Sequence, residues 1–504
     1  MTVPPADVTE VRRSTRSSAV GLLGAAVNGA CGFVLTAVIV RVFGATGSGA
    51  LFTAIGVVSI AGPLCCLGAD TGLMWAIPRR TTGAHGDAAR LLPLALAPTV
   101  ILAAVVAAVG WALSGVLGRA LLGATTDGRA LIRLAFLGVP VFVLATVLLA
   151  AVRATRPVSA YVGVQLVGVP MIRPALIGAL VAFGGSVVAG FAGWLLPMAL
   201  AAVVAAVLVA GPLGVTGGAR LRPDAADRRW FWGFALPRAV STAIDASSMW
   251  VGVLLTTALA TPAAAGVFGA VGRYALAGLL VMQGLRVAVA PQLSRLLGAG
   301  RSAEAAAVYR RTTVGIVLLS WPAYVLLAAF APAFLALFGS DFAAGAGPMA
   351  VLACAMLVNV GVGIVQTVLL MSGNSGKHLL AASCGLAVNV AAGVALIPAY
   401  AATGAAVAWS LGIVTENVLA AIFARRALAQ PLLSRALALT GLAALAVTGL
   451  AAVAGAVTAG RGVAGLSVTL CLLATGAVAA LANRRVRAHL TNVRAQLRPR
   501  EATS

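Results

Sequence analysis

The sequence predicts an all-α polytopic membrane protein, and three observations lead there. Of 504 residues, 61% are hydrophobic and only 9% are charged, with a mean hydropathy of +1.05, a composition outside that of soluble domains. Apolar runs of about 20 residues, enough to cross about 30 Å of hydrocarbon as a helix, follow one another with short polar interruptions. The 35 basic residues, which against 12 acidic ones give a net charge of +23, gather on one side of those interruptions. In a soluble chain that charge points to nucleic acid; here it reads as topology.

Cutting the chain at charges and turn residues gives about 14 transmembrane helices, at 18–42, 49–77, 91–113, 130–152, 158–183, 187–213, 234–258, 263–289, 312–338, 348–371, 378–398, 403–424, 436–458 and 463–482. Arg12, Arg13 and Arg16 precede an uninterrupted first span, which reads as a membrane helix and not a cleaved leader. Gly184-Gly185-Ser186 divides spans 5 and 6, and Tyr400-Ala401-Ala402 divides spans 11 and 12. With both termini in the cytoplasm, 26 basic residues fall on that side, in the tails and in loops such as Arg79-Arg80, Arg228-Arg229, Arg310-Arg311 and Arg425-Arg426. Five (Arg41, Arg119, Arg129, Arg133, Arg461) face the other side, Arg41 and Arg133 from the outer end turns of their spans, and Arg173, Arg238, Arg273 and Arg286 lie deeper within spans. The positive-inside rule then sets a multi-pass protein of the cytoplasmic membrane with both ends inside.

The halves echo each other. Val42-Phe43-Gly44 with Gly49-Ala50-Leu51-Phe52 matches Ala258-Leu259-Ala260 with Gly266-Val267-Phe268-Gly269, the loop at 152–156 matches 372–376, and Gly190-Phe191-Ala192 matches Gly404-Ala405-Ala406. Three matches in order at nearly one offset predict two pseudo-symmetric six-helix bundles, residues 1–228 and 229–430. Residues 431–504 add two spans and a basic cytoplasmic tail. Duplicated bundles are the architecture of secondary transporters.

Several chemistries are excluded or disfavoured. The longest connector, near 214–233, is too short for an ATPase domain, and Gly373-Asn374-Ser375-Gly376-Lys377 lacks both the first glycine and the Ser/Thr of a phosphate loop. Cys31, Cys65, Cys66, Cys354, Cys384 and Cys471 sit in apolar runs without metal or redox spacing, so they read as packing residues and no metal is expected. His85, His378 and His489 fall in polar loops or the tail, so no catalytic histidine, no enzyme activity and no cofactor are expected.

Four stretches carry a resemblance: Arg41-Val42-Phe43-Gly44 with Gly68-Ala69-Asp70-Thr71-Gly72-Leu73 and Pro78-Arg79; Ala235-Leu236-Pro237 through Asp245, with Ala265-Gly266-Val267-Phe268, Tyr274 and Ala290-Pro291-Gln292-Leu293-Ser294-Arg295; Leu337-Phe338-Gly339-Ser340-Asp341-Phe342; and Leu396-Ile397-Pro398-Ala399-Tyr400 with Gly404-Ala405-Ala406-Val407-Ala408. Together they cover most of residues 18–425 and resemble the polysaccharide transporter (O-antigen flippase) family of the multidrug/oligosaccharidyl-lipid/polysaccharide exporter superfamily. The resemblance implies a flippase that moves a lipid-linked oligosaccharide, on a polyprenyl diphosphate, to the outer leaflet for cell-surface polysaccharide (lipopolysaccharide) biosynthesis, alongside glycan-assembly enzymes. The alternatives are a lipid II flippase, a multidrug antiporter, and a membrane-embedded glycan polymerase or ligase.

Charged groups inside spans are costly and are functional candidates by default. Arg173 lies mid-span between Pro170 and Pro174, whose spacing predicts a kink with freed carbonyls. It either binds a diphosphate or is satisfied by those carbonyls, Asp70 or Glu416. Arg238, Ser241, Asp245 and Ser248 share one helical face, so Arg238 and Asp245 read as facing an aqueous interior, and Arg273 is a further cavity cation. Arg286 belongs to the cytoplasmic interface. Asp70, Asp245 and Glu416 hold a coupling ion or neutralise an arginine. Asn28, Gln165, Asn359, Gln366, Asn389 and Asn417 bond either sugar hydroxyls or neighbouring helices. The tail arginines Arg484, Arg485, Arg487, Arg494, Arg498 and Arg500 set topology and attract anionic lipid.

Overall fold

The computed structural model describes residues 8–81, 88–123, 126–213, 224–432 and 434–482. The C-tail arginines, His85 and His489, the first half (214–223) of the 214–233 connector, and the side chains of Arg12, Arg13 and Arg16 lie outside this description. The described residues form helices and no strands: α1 (Val8–Cys66), α2 (Ala69–Thr81), α3 (Leu91–Leu122), α4 (Thr126–Thr155), α5 (Val158–Tyr161), α6 (Val169–Ala182), α7 (Val187–Ala210), α8 (Ala225–Leu259), α9 (Pro262–Ala277), α10 (Leu279–Gly298), α11 (Ser302–Ala329), α12 (Ala331–Leu335), α13 (Ala346–Gly361), α14 (Val365–Met371), α15 (Ser375–Leu428), α16 (Arg435–Ala459) and α17 (Val463–Ala482).

Two of these are hairpins. At 1.5 Å per residue a straight α1 or α15 would reach about 80–90 Å, far beyond the hydrocarbon thickness. Instead α1 turns at Gly44 (φ 62°) and α15 at Ala401 (φ 45°). The arms of α15 run antiparallel and nearly touch: a Cβ on Gly404 would collide with the Leu396 carbonyl, and one on Gly385 would lie 2.9 Å from that of Gly412. Among the described residues, ten helices are long and apolar enough to cross a membrane, or eleven with the bent pair Pro262–Ala277 and Leu279–Arg286. The second arms of the two hairpins and the shorter apolar stretch Val463–Ala479 complete the fourteen expected segments. On α16, Leu439, Leu442, Val447, Leu450 and Val457 are each more than 60% exposed, an apolar surface suited to lipid.

Several spans are interrupted where the sequence suggests continuity. Span 8 bends by 44° at Gly278, where Tyr324 packs so closely that a Cβ would clash with its ring. Span 10 breaks between α13 and α14 at Gly363 (φ 68°). Irregular backbone at membrane depth must be buried and satisfied, and the Tyr309 hydroxyl donates to the Val362 carbonyl at 2.5 Å. Span 5 changes helix type just before its prolines. Residues 162–168 form a π-helical stretch, and Pro170 sits in the first turn of α6, where its missing N–H costs little. Span 7 begins at Ala225, with the Asp224 carboxylate accepting from the Asp227 amide at 2.6 Å.

The larger core crosses the bundles, running from Leu35 and Leu51 through Phe191, Phe268 and Tyr274 to Met349 and Trp409. A second core lies toward the Arg-rich face, from Cys65 and Leu73 to Phe231 and Ala235. Toward the opposite face α1 meets α9 at backbone contact: a Cβ on Gly49 would collide with the Pro262 carbonyl, and one on Gly266 with that of Ala45. Arg41 Nε also donates to the Leu337 carbonyl at 2.8 Å. Toward the Arg-rich face α2 meets α8. Arg80 pairs with Asp227, which is 6% exposed at its side chain, Trp75 stacks on Phe234 at 4.2 Å, and Arg80 lies over the Trp230 ring.

Candidate functional site

Between these two closures lies a cavity of about 380 Å³ lined from both bundles. The first arm of α1 contributes Asn28, Cys31 and Phe33, its second arm Ser59, the π-helical stretch Gln165, α6 Arg173, α7 Trp194 and Met198, α8 Trp250, and α9 Arg273. Its wall toward the opposite face is aromatic. Phe33 meets Tyr274 at 5.1 Å and Phe338 at 5.8 Å, and the Tyr274 hydroxyl donates to the Phe334 carbonyl at 2.7 Å.

Two cations therefore share one cavity, and no carboxylate among the described residues lines it. Arg173 Nε donates to the Trp194 carbonyl at 3.0 Å, Nη2 approaches Met198 Sδ at 3.7 Å, and the guanidinium lies 4.2 Å over the Trp194 ring. The expected partners do not supply this: Arg173 is held by α7, not by carbonyls of its own helix, Asp70 or Glu416. Arg273 lies 5.8 Å from the Trp250 ring and has no hydrogen-bonded acceptor among the described residues. Cation–π contact offsets part of the desolvation of a guanidinium but leaves most of its donors unused. Two such groups in a half-enclosed space favour an anion with several acceptor oxygens. Gln165 brings a buried Oε1 with no partner, and Asn28 is exposed on the same lining.

The other candidates lie elsewhere. Arg238 is exposed, 5.6 Å from the Phe234 ring and outside the cavity lining. The Ser241 and Thr242 hydroxyls bond its carbonyl. Asp70 opens α2 after the break at Leu67-Gly68, within electrostatic reach of Arg238. Asp245 faces His378 across 3.7 Å, and Asn389 donates to the Ser248 carbonyl at 3.1 Å. His378, expected in a polar loop, is 5% exposed one turn into α15. Gln366 donates to Glu416 at 2.6 Å, and Asn417 to Asn359 at 3.1 Å, so these amides join helices of the second bundle. Cys65 and Cys66 are free and buried, and Cys31 is free. Among the described residues no group of His, Cys, Asp and Glu is arranged to hold a metal. Sequence reasoning missed the tryptophans under both arginines, because contacts across helices leave no trace in local patterning.

No protein-family model matches the sequence, and no curated protein does. Solved structures do match. A multidrug resistance MATE family transporter of the MOP superfamily, inward-facing, aligns with a TM-score of 0.66 at 15% identity over 80% of this chain and 94% of its own. The lipid II flippase MurJ, in an inward closed conformation, aligns with a TM-score of 0.66 at 12% identity over 93% of this chain and 98% of its own. A MOP superfamily transporter from Pyrococcus furiosus, described by the reverse polarity of its binding pocket, aligns with a TM-score of 0.58 at 15% identity over 83% and 95%. The chain thus has the fold of MOP superfamily transporters, and it is a multi-pass membrane protein.

Proposed function

We propose that the chain is a secondary transporter that flips a lipid-linked oligosaccharide on a polyprenyl diphosphate from the inner to the outer leaflet of the cytoplasmic membrane, for cell-surface polysaccharide biosynthesis. The observation that carries this reading is the pairing of Arg173 and Arg273 in one inter-bundle cavity without a lining carboxylate. A diphosphate supplies the anion that both guanidiniums need, and Gln165 and Asn28 offer hydrogen bonds to sugar hydroxyls. The lipid tail stays in the bilayer while the bundles rock, so the cavity has to lower the cost of moving only the polar head. Opening alternates between the α2/α8 closure on the Arg-rich side and the α1/α9 closure opposite.

A lipid II flippase satisfies the same cations, and the likeness to such a flippase keeps it as the second reading. A cationic drug does not fit, since it would enter a cavity already carrying two positive charges. Each negative charge exported from a negative-inside cell gains about 2.3 kcal/mol per 100 mV, so the membrane potential can drive the outward step. Asp70, Asp245 and Glu416 are the candidate coupling groups, because none of them forms an ion pair with an arginine among the described residues.

The test uses proteoliposomes with fluorescent polyprenyl-diphosphate oligosaccharide, lipid II or a cationic dye, each followed by quenching from outside. The first substrate should move faster than the other two, with Arg173→Ala and Arg273→Ala each slowing it at least tenfold. Wild-type rates in both variants would sink the cationic-cavity reading. Any change in glycan covalency would identify a polymerase or ligase instead.

A further inference from the structure

A second cavity, remote from the central one, opens where α11, α15 and α16 converge at the Arg-rich face. It measures about 410 Å³, and Tyr309, Val362, Ile422, Leu432 and Leu437 make its walls mainly apolar. Arg425 stands at its edge and also lines an adjoining depression of about 420 Å³, together with Arg426. Arg310 Nη1 donates to the Pro431 carbonyl at 3.2 Å and so ties the turn between α15 and α16 to α11. Neither Arg425 nor Arg426 has a hydrogen-bonded or ion-paired partner among the described residues, and both are exposed.

An apolar crevice beside a bilayer is filled more favourably by hydrocarbon than by water. Two adjacent guanidiniums without carboxylates favour a phosphate. One molecule that carries both features is an anionic phosphoglyceride. We propose that this crevice is a binding site for such a lipid, with one acyl chain between α11, α15 and α16 and the phosphate held between Arg425 and Arg426. The inner leaflet, rich in anionic lipid, is the side where the positive-inside rule places these arginines. Because only six residues, 429–434, separate α15 from α16 in the chain, an occupied crevice staples the two extra spans to the second bundle. The inference is independent of the cargo in the central cavity.

Native mass spectrometry and thermal unfolding of the full chain in neutral detergent test it, with phosphatidylglycerol, phosphatidylcholine and glycerol phosphate as probes. Phosphatidylglycerol should be retained and should raise the Tm, whereas phosphatidylcholine and glycerol phosphate should bind at least tenfold more weakly. Arg425→Gln with Arg426→Gln should weaken phosphatidylglycerol about thirtyfold, from roughly 1 kcal/mol per basic residue. Leu437→Trp should displace the chain, and Ile422→Trp does the same from an exposed position should the buried substitution unfold the protein. Equal binding of the two lipids, glycerol phosphate binding as well as the lipid, or wild-type affinity in the arginine and tryptophan variants would overturn the proposal.

Discussion

At the scale of single residues, the chemistry of the cavity turns on what a guanidinium does that an ammonium does not. Arg173 spans the Trp194 carbonyl and the Trp194 ring at once, and only a planar fork with several donors can do so while still facing the cavity. Arg173→Lys should therefore keep the charge yet recover only part of the transport lost in Arg173→Ala. Arg273, which lacks an acceptor, should tolerate lysine better. Flipping rates for the four variants decide this; equal rescue at both positions would show that charge alone matters. Sequence alone picks out both arginines, because a charge in an apolar span is conspicuous. It cannot separate them from Arg238, whose side chain lies outside the cavity although it heads the polar stripe of its helix.

At the scale of elements, two helix contacts close the cavity on either side and are the gates of the proposed alternating access, and each makes a prediction. The α1/α9 contact allows no Cβ at Gly49 or Gly266. Gly49→Ala and Gly266→Ala must separate backbones or overpack them, at about 1–3 kcal/mol each, and should lower the Tm while slowing transport, as thermal unfolding and flipping assays will show. The α2/α8 closure rests on Arg80 with Asp227 and on the Trp75 stack. Asp227→Ala should loosen it, so that Cys31, which lines the cavity, reacts several-fold faster with a water-soluble thiol reagent when the other cysteines are replaced by serine. An unchanged labelling rate would show that the ion pair is not part of the closure. The interruptions of spans 8 and 10 escape the sequence for a related reason. A break in a membrane helix is stable only where a neighbour satisfies it, as the Tyr309 hydroxyl does for Val362, and that neighbour is more than fifty positions away.

At the scale of the whole molecule, the charge distribution makes predictions about orientation and energetics. With the Arg-rich face in the cytoplasm, single cysteines placed at 300 should label only from inside in intact cells, and those at 123 and 460 only from outside. The reverse pattern would turn the transport direction around. Flipping of a diphosphate-linked substrate should also accelerate when vesicles are polarised in the direction that drives anions out, and a rate indifferent to potential would shift attention to Asp245, His378 and Glu416. Hydropathy and basic bias are read one segment at a time, since each span must satisfy its own backbone and each loop carries its own charge. The sequence therefore determined the membrane-spanning segments and the uneven division of basic residues among the loops without reference to any contact. The meeting of Arg173 with Arg273, the burial of His378 and the α1/α9 and α2/α8 contacts were decided only by tertiary structure, because each depends on packing between helices far apart in the chain, which no local pattern encodes.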